Sequence, residues 1–394
     1  GITEWIHLYK EPALGLAPSV TTWPKVLQAA GYTTGLVGKW HLGRLRRFHP
    51  RHYGYDYYMG TITARDKNID PVLEKDGRRQ PFKGLMPDIL TDHAIQFIRR
   101  NKDRPFVLSM HFRVPHQGSW RVPEEEWRPF ENLPVRVPEP DYPNLDTERV
   151  MIELRRYMTV VHILDRNVGR LLDTLDELGL TERTIVILTS DHGFNIGHHA
   201  ITGKGNGDWR LTRQPRPDIW PDKERPNLFD TSIRVPCLVR WPGVIKPGTV
   251  VEETVTNLDW FPTLLAMASV QPPADWRHHG RNFLPLLTGQ KIQDWDNNMY
   301  GEYSVHADPL WDHMRMWRTP EWKLVRHFLR PKRDELYHLA TDPGETTNLI
   351  HDPSPEVQRV VKTFHARIIR HMRELNDPVI QLLEQEDPDS LRPP

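Results

Sequence analysis

The chain of 394 residues has a single cysteine, Cys237. An internal disulfide is therefore excluded, and cysteine usage does not mark a redox compartment. Neither sign of charge is in excess, since Lys+Arg and Asp+Glu both total 52. No global field then points to nucleic acid or to an anionic membrane. No apolar run is long enough to span a bilayer. Internal repeats and low-complexity tracts are missing as well. The first residue is Gly1 rather than methionine, so a signal peptide is not legible.

What the chain has in quantity is proline (36), histidine (20) and tryptophan (14). The prolines imply many fixed loops. The histidines and tryptophans suit a metal or sugar site, though composition alone does not decide that. The length fits one large α/β domain, residues 1–290, followed by a smaller α+β unit, residues 291–394.

The chain is organised around residues 184–205, TIVILTSDHGFNIGHHAITGKG. The apolar run from Thr184 to Leu188 reads as a buried parallel strand that breaks at Ser190-Asp191-His192-Gly193. In open α/β sheets chemistry gathers beyond the carboxyl ends of strands. Asp191 and His192 can both bind a metal there. Asp-His-Gly is equally an ordinary turn, because Asp and Gly are turn formers. His198, His199 and Lys204 downstream favour a site, and the glycines around Lys204 let backbone approach an anion.

Other segments point to the same crevice. Residues 21–30 have a helix pattern, with Thr22 as cap, Pro24 in the first turn and Gly31 as stop. Thr33 to Val37 reads as a short strand with Gly38-Lys39-Trp40-His41 at its end. By spacing alone, a solvated Lys39 and a packed His41 are slightly the better account. Residues 88–100 predict an amphipathic helix burying Ile89, Ala94, Phe97 and Ile98. Residues 105–112, PFVLSMHF, read as a further buried strand, with His116 just beyond it. A lone histidine in such a place is often a satisfied loop residue.

Residues 44–85 carry no clear pattern, and 117–146 read as Pro-rich loop. From Thr147 to Leu178 apolar residues at helical spacing (Val150, Met151, Leu154, Met158, Val161, Leu164, Val168, Leu171, Leu172 and Leu175) predict a long helix with these positions in the core. Residues 208–227 read as a polar loop, either a surface excursion or a specificity loop for an anion. The stretch 234–243 reads as a strand in which Cys237 is buried and inert. Residues 258–268 read as a helix. Short strands over 290–340 predict a small antiparallel sheet, and 355–374 a closing helix.

Taken together, these motifs resemble the sulfatase family of the alkaline-phosphatase superfamily. GYTTGLVGKWHLG (31–43) is similar to the family's second signature, and SDHG followed by GKG to its metal-and-lysine segment. SIRVPCLVRWPGVIKPG (232–248), TNLDWFPTLLAMA (256–268) and DELYHLATDPGETTNL (334–349) resemble the segments that follow. The resemblance implies a doubly wound, mostly parallel sheet with helices on both faces and a small carboxyl-terminal antiparallel sheet. It implies catalytic roles for Lys39, His41, His116 and Lys204. It implies metal ligation by Asp191 and His192, usually of calcium, with magnesium or manganese as alternatives. Lys39, Lys204 and the cation would balance charge on the sulfuryl oxygens. His116 or Lys204 would protonate the leaving oxygen, and His41 fits a base.

The family's nucleophile is a hydrated formylglycine made within Cys/Ser-x-Pro-x-Arg, and that motif occurs nowhere in this sequence. Leu16-Ala17-Pro18-Ser19-Val20 lacks both the convertible residue and the arginine. The family's amino-terminal Asp pair is missing too. The expectation is a chain without its amino-terminal part, holding half a metal site and unable to turn over substrate by itself. The implied function is hydrolysis of the sulfate esters of a sulfated carbohydrate. Two alternatives stand beside it: a phosphodiesterase or phosphonate monoester hydrolase of the same superfamily, and a non-catalytic binder of sulfated glycans. No nucleic-acid partner and no membrane span are expected. The resemblance suggests a periplasmic or secreted protein.

Overall fold

The computed structural model describes residues 13–63, 66–138, 145–205, 226–274, 276, 278–305 and 312–383. Among the described residues the central sheet has five strands: β1 (Thr33–Lys39), β2 (Tyr57–Thr61), β3 (Val72–Lys75), β4 (Arg78–Pro81) and β5 (Phe106–His111). Their spatial order is β4-β3-β2-β1-β5. β1, lying between β2 and the edge strand β5, pairs in parallel with both, while β3 and β4 extend the sheet antiparallel. Residues 44–85, silent in the sequence, thus supply β2, β3 and β4.

Alternation along β1 sends neighbouring side chains to opposite faces. Val37 packs with Met59, Leu73 and the helix Met86–Asn101, through Met86, Ile89, Leu90 and Ala94. Leu36 points the other way, into an aromatic cluster of Trp40, Tyr53, Tyr55 and Tyr58. Burying a side chain of this size contributes about 1.5–3 kcal/mol. The helix Trp23–Ala29 leads into β1 with Pro24 in its first turn, but Thr22 donates its hydroxyl to the Tyr53 carbonyl (2.7 Å) rather than capping.

The long helix forms as its spacing predicts, over Thr147–Glu177. Its inward face differs in part. Val150 and Leu175 are buried, yet Met158 and Val161 are exposed. Val160, Ile163, Asn167 and Thr174 face inward in their place. Asn167 is accommodated because its amide donates to Asp88 and to the Ile163 carbonyl.

Strand β6 (Val186–Thr189), β7 (Asn195–Ile196), β8 (Thr202–Gly203) and β9 (Cys237–Arg240) follow. β6 is not the buried parallel strand its composition predicts. It is half-buried, and its partner among the described residues is β9, antiparallel, with Thr189 opposite Cys237. Cys237 is exposed rather than buried: it shares a strand face with Val239, but it lies one step beyond the cluster that takes Ile187 and Val239, opposite Thr189 at the end of β6. β5 is also only half-buried, apart from buried Ser109 and exposed His111. The 208–227 loop lies outside the described residues over 208–225.

The carboxyl-terminal part is a four-stranded antiparallel meander, β10 (Met299–Val305), β11 (Asp312–Arg318), β12 (Trp322–His327) and β13 (Glu335–His338). One face takes the helix Pro355–Glu374, with Trp317, Leu324, Leu336, Phe364 and Ile368 between them. The other face buries Met314, Met316 and Val325 against Leu228. The expected α/β architecture with a separate small antiparallel sheet is therefore the one observed.

Lys323 on β12 fastens the two parts together. Its ammonium is fully buried and contacts Asp230 Oδ1 (2.7 Å), Glu345 Oε1 (2.5 Å) and the Leu228 carbonyl (2.9 Å). Burial pushes Glu345 up to about 7, against the pull of Lys323. Between the ordinary value of 4.5 and about 7 the folded chain therefore binds more protons than the unfolded one. This group makes stability fall as pH rises across that window. Glu345→Gln is expected to flatten the slope, read as urea midpoints at pH values spanning it.

Candidate active site

Lys39 is the last residue of β1, and its place follows from a close approach of β1 and β5. Gly38 has φ +125°, and a Cβ there would collide with the His111 carbonyl on β5. Only glycine tolerates both conditions. Beyond Lys39 the chain turns sharply, with His41 in the left-handed region at φ 59°. Such strain is held by surrounding structure. Here Trp40 and His41 donate their N–H groups to the Thr61 and Ile62 carbonyls (2.9 and 3.1 Å). His111 Nδ1 lies 3.0 Å from the Lys39 carbonyl, tying the ends of β1 and β5 together.

Asp191 and His192 follow β6. Gly193 N–H donates to the Ser232 carbonyl (2.8 Å), and a Cβ at Gly193 would collide with the Thr231 carbonyl. The single turn Asp230–Ile233 thus backs this loop. Asn195 joins in, with its amide on the Gly203 carbonyl (3.1 Å) and on Ser232 Oγ (2.7 Å). The β7–β8 hairpin then delivers Lys204 immediately after Gly203. His116 comes from the loop after β5, half-buried.

These groups meet. Burial first, then Lys204 and Arg113 against the pull of Asp191, lowers Lys39 to about 8. Burial, with Lys39 and Lys204 adding to it, lowers His41 to about 4. Burial, then Lys204, Lys39, Arg113 and His192, pushes His116 to about 3. Lys204 is also lowered by burial, with Asp191 opposing. Desolvation would raise Asp191, yet His192, Lys39 and Lys204 hold its carboxyl below the ordinary range. Its side chain is 77% exposed, so those cations act through a screening medium.

The structure therefore brings together Lys39, His41, His116, Asp191, His192 and Lys204. His198 and His199 stay apart from the cluster. His199 is buried and stacks flat on Phe229, ring centroids 3.7 Å apart. Arg113, His111 and Asn257 were not marked. Arg113 is felt at Lys39, His41 and His116. Asn257 donates to the Asp191 carbonyl (3.4 Å). Their only sequence signal is proximity to a strand end or to a helix start.

A divalent cation fits this donor set only in part. Asp191 Oδ2 and His192 Nε2 lie 3.4 Å apart, close enough to share one ion. A calcium ion takes about six to eight oxygen ligands. Among the described residues no group of three or more His, Cys, Asp or Glu converges on a point.

Chemically, the cluster is two ammonium groups at close quarters with two imidazoles that are neutral near neutral pH. Cations held together against their mutual repulsion favour a bound oxyanion.

Comparison with known proteins agrees. A family model described as Sulfatase matches residues 7–270, and one described as N-sulphoglucosamine sulphohydrolase, C-terminal, matches residues 219–374. The chain is 28% identical to the steryl-sulfatase of Rattus norvegicus, covering 96% of this chain and 78% of that one. It is 25% identical to the N-acetylglucosamine-6-O-sulfatase of Bacteroides thetaiotaomicron, covering 93% and 74%. The human N-acetylgalactosamine-6-sulfatase is 25% identical, over 92% and 70%. A solved structure in complex with its substrate D-glucosamine-2-N,6-O-disulfate superimposes with a TM-score of 0.76 at 22% identity, covering 97% and 86%. Among the described residues no helix is long and apolar enough to cross a membrane. With one family model spanning residues 7–270, and so every residue of the cluster, this chain belongs to the sulfatase family, the hydrolases of sulfuric esters.

Proposed function

We propose that the cluster at Lys39, His41, His116, Asp191, His192 and Lys204 binds the sulfate group of a sulfated carbohydrate for ester hydrolysis. The observation that carries this reading is the convergence of Lys39 and Lys204, each depressing or opposing charge on its neighbours, beside the acidic Asp191. A sulfate monoester brings one negative charge and three exposed oxygens, which two ammonium groups neutralise. Lys204 or His116 supplies the proton to the departing oxygen, and His41 serves as base. Calcium is the ion we assign to Asp191 and His192, with magnesium or manganese as alternatives; bound there it would supply charge to the sulfuryl oxygens.

The carbohydrate preference is supported by relatives named for N-acetylhexosamine 6-sulfates and by Trp120, half-buried four residues beyond His116. The 394 residues contain no Cys/Ser-x-Pro-x-Arg and so no formylglycine precursor. The chain is therefore expected to bind oxyanion without turning over. Incubation with aryl sulfate and with an aryl phosphate diester checks this. Turnover of the sulfate ester would overturn the expected inactivity. Turnover of the diester alone would replace the sulfatase reading by the phosphodiesterase one. Tight glycan binding that survives Lys39→Ala and Lys204→Ala would favour a non-catalytic binder. A further consequence concerns pH. Lys39 loses its charge as pH rises through about 8, so affinity for inorganic sulfate is expected to fall there, measured by titration calorimetry.

A further inference from the structure

The loop carrying His116 is pinned from several directions. His116 N–H donates to the Arg113 carbonyl (3.0 Å), and its carbonyl accepts from Ser119 N–H (2.8 Å). Asn68, 4% exposed, donates its amide to the carbonyls of Ser119 (3.0 Å) and Arg121 (3.2 Å). Arg113 donates through Nη1 to the Asp66 carbonyl and through Nη2 to the Gly118 carbonyl (3.3 Å). Gly118 in turn donates its N–H to His116 Nδ1 at 3.1 Å. A Cβ at Gly118 would collide with Arg113 Nη2, so the absence of a side chain lets the guanidinium lie against this turn.

A ring nitrogen that accepts a hydrogen bond carries no proton, and in a neutral imidazole the proton is then on the other nitrogen. The donor here is a backbone N–H, which has no alternative role, so the direction of the bond is not open to choice. Burial first, and then the cations around the ring, favour its neutral form.

We propose that Gly118, held by Arg113, fixes His116 as the Nε2–H tautomer, so that His116 is a neutral hydrogen-bond donor to a sulfuryl or ester oxygen and not the proton source. The second half of this statement rests on the sulfate-site reading above. When an oxygen nucleophile such as water takes the sulfuryl group and the ester S–O bond breaks, the electron pair leaves with the alkoxide oxygen and Lys204 Nζ gives that oxygen a proton, leaving a neutral amine and an alcohol. A neutral imidazole is far too weak an acid to compete with an ammonium for that task. Arg113 and Gly118 are positioning residues, acting through His116 rather than on the ester.

The test is the nitrogen spectrum of the ¹⁵N-labelled 394-residue chain at neutral pH, with His116 assigned by the signals lost in His116→Asn. The expected result is a protonated Nε2 and a bare Nδ1. A protonated Nδ1, alone or in a doubly protonated ring, overturns the proposal. Arg113→Gln is expected to lose the pure Nε2–H signature and show mixed tautomers, and Arg113→Lys to recover part of it. A folded Arg113→Gln chain that keeps the pure signature removes Arg113 from the device. Should that variant fail to fold, the wild-type spectrum still decides the tautomer. Inorganic sulfate added to the wild type separates the two readings. The Nε2 resonance is expected to shift. A pure tautomer that ignores sulfate would leave the tautomer standing and overturn the donor role together with the sulfate site.

Discussion

Replacing Asp377 by alanine is expected to cost the fold about 3–5 kcal/mol, the range seen when one member of a buried ion pair is removed. Asp377 and Arg315 each expose 2% of their side chains. The guanidinium meets the carboxylate with Nε on Oδ2 (2.5 Å) and Nη2 on Oδ1 (2.9 Å), a two-point contact. Asp377 also accepts from Val379 N–H (3.0 Å) and from the Tyr300 hydroxyl (3.4 Å). Desolvation alone would raise this carboxyl, yet Arg315 and these donors hold it below the ordinary range. Without Asp377 the arginine keeps the Ser304 hydroxyl (3.2 Å), the Met314 carbonyl (2.8 Å) and a more distant Glu302 (3.9 Å), none of which matches the lost contact. Urea unfolding checks this through the midpoint at unchanged slope. A loss under about 1 kcal/mol, the worth of an exposed pair, would mean that water reaches Arg315. The double replacement Arg315→Met with Asp377→Leu is expected to cost much less than Asp377→Ala, because no uncompensated charge is left buried.

The second large effect concerns the lysines. Lys39→Ala and Lys204→Ala are each expected to weaken inorganic sulfate binding by roughly 10- to 150-fold, the equivalent of about 1.5–3 kcal/mol for a hydrogen bond to a charged group. The two are not independent. Lys39 is lowered first by burial and next by Lys204, so removing Lys204 relieves part of that repulsion. In Lys204→Ala the alkaline loss of sulfate affinity, expected near pH 8 in the wild type, is therefore predicted to move to higher pH. Titration calorimetry across that range reads both the affinity and the limb. An unmoved limb would show that Lys204 does not act on Lys39, and the shared oxyanion site would fall with it.

Some features were written in local sequence. The helices at 88–100, 147–178 and 355–374 form within a few residues of their predicted bounds, because helical periodicity is a property of near neighbours in the chain. The antiparallel meander of the carboxyl-terminal part was legible from strands without helices between them. The residues Lys39, His41, His116, Asp191, His192 and Lys204 were legible because each follows an apolar strand or glycine-flanked turn in a motif of recognisable wording. The segment 44–85 was not, since β2 to β4 are short, and β4 is exposed along its whole length. Without one buried face a strand leaves no alternation to read.

Pairing and exposure were decided elsewhere. Nothing local told β6 that its neighbour would run antiparallel, or that Cys237 would face outward. Nothing local distinguished Met158 and Val161 from Val160 and Ile163 on the long helix; the helix Met86–Asn101, packed against it, chose the face. The same holds for Arg113 and Gly118. Their value lies in contacts with Asp66 and with the ring of His116, made only once the loop after β5 is folded back. The sequence determined which elements form and which side chains stand at their ends, because those follow from near-neighbour backbone preference and periodicity. The tertiary structure decided which ends meet, which charges shift one another and which nitrogen of His116 is held bare, because those depend on distances between residues far apart in the chain.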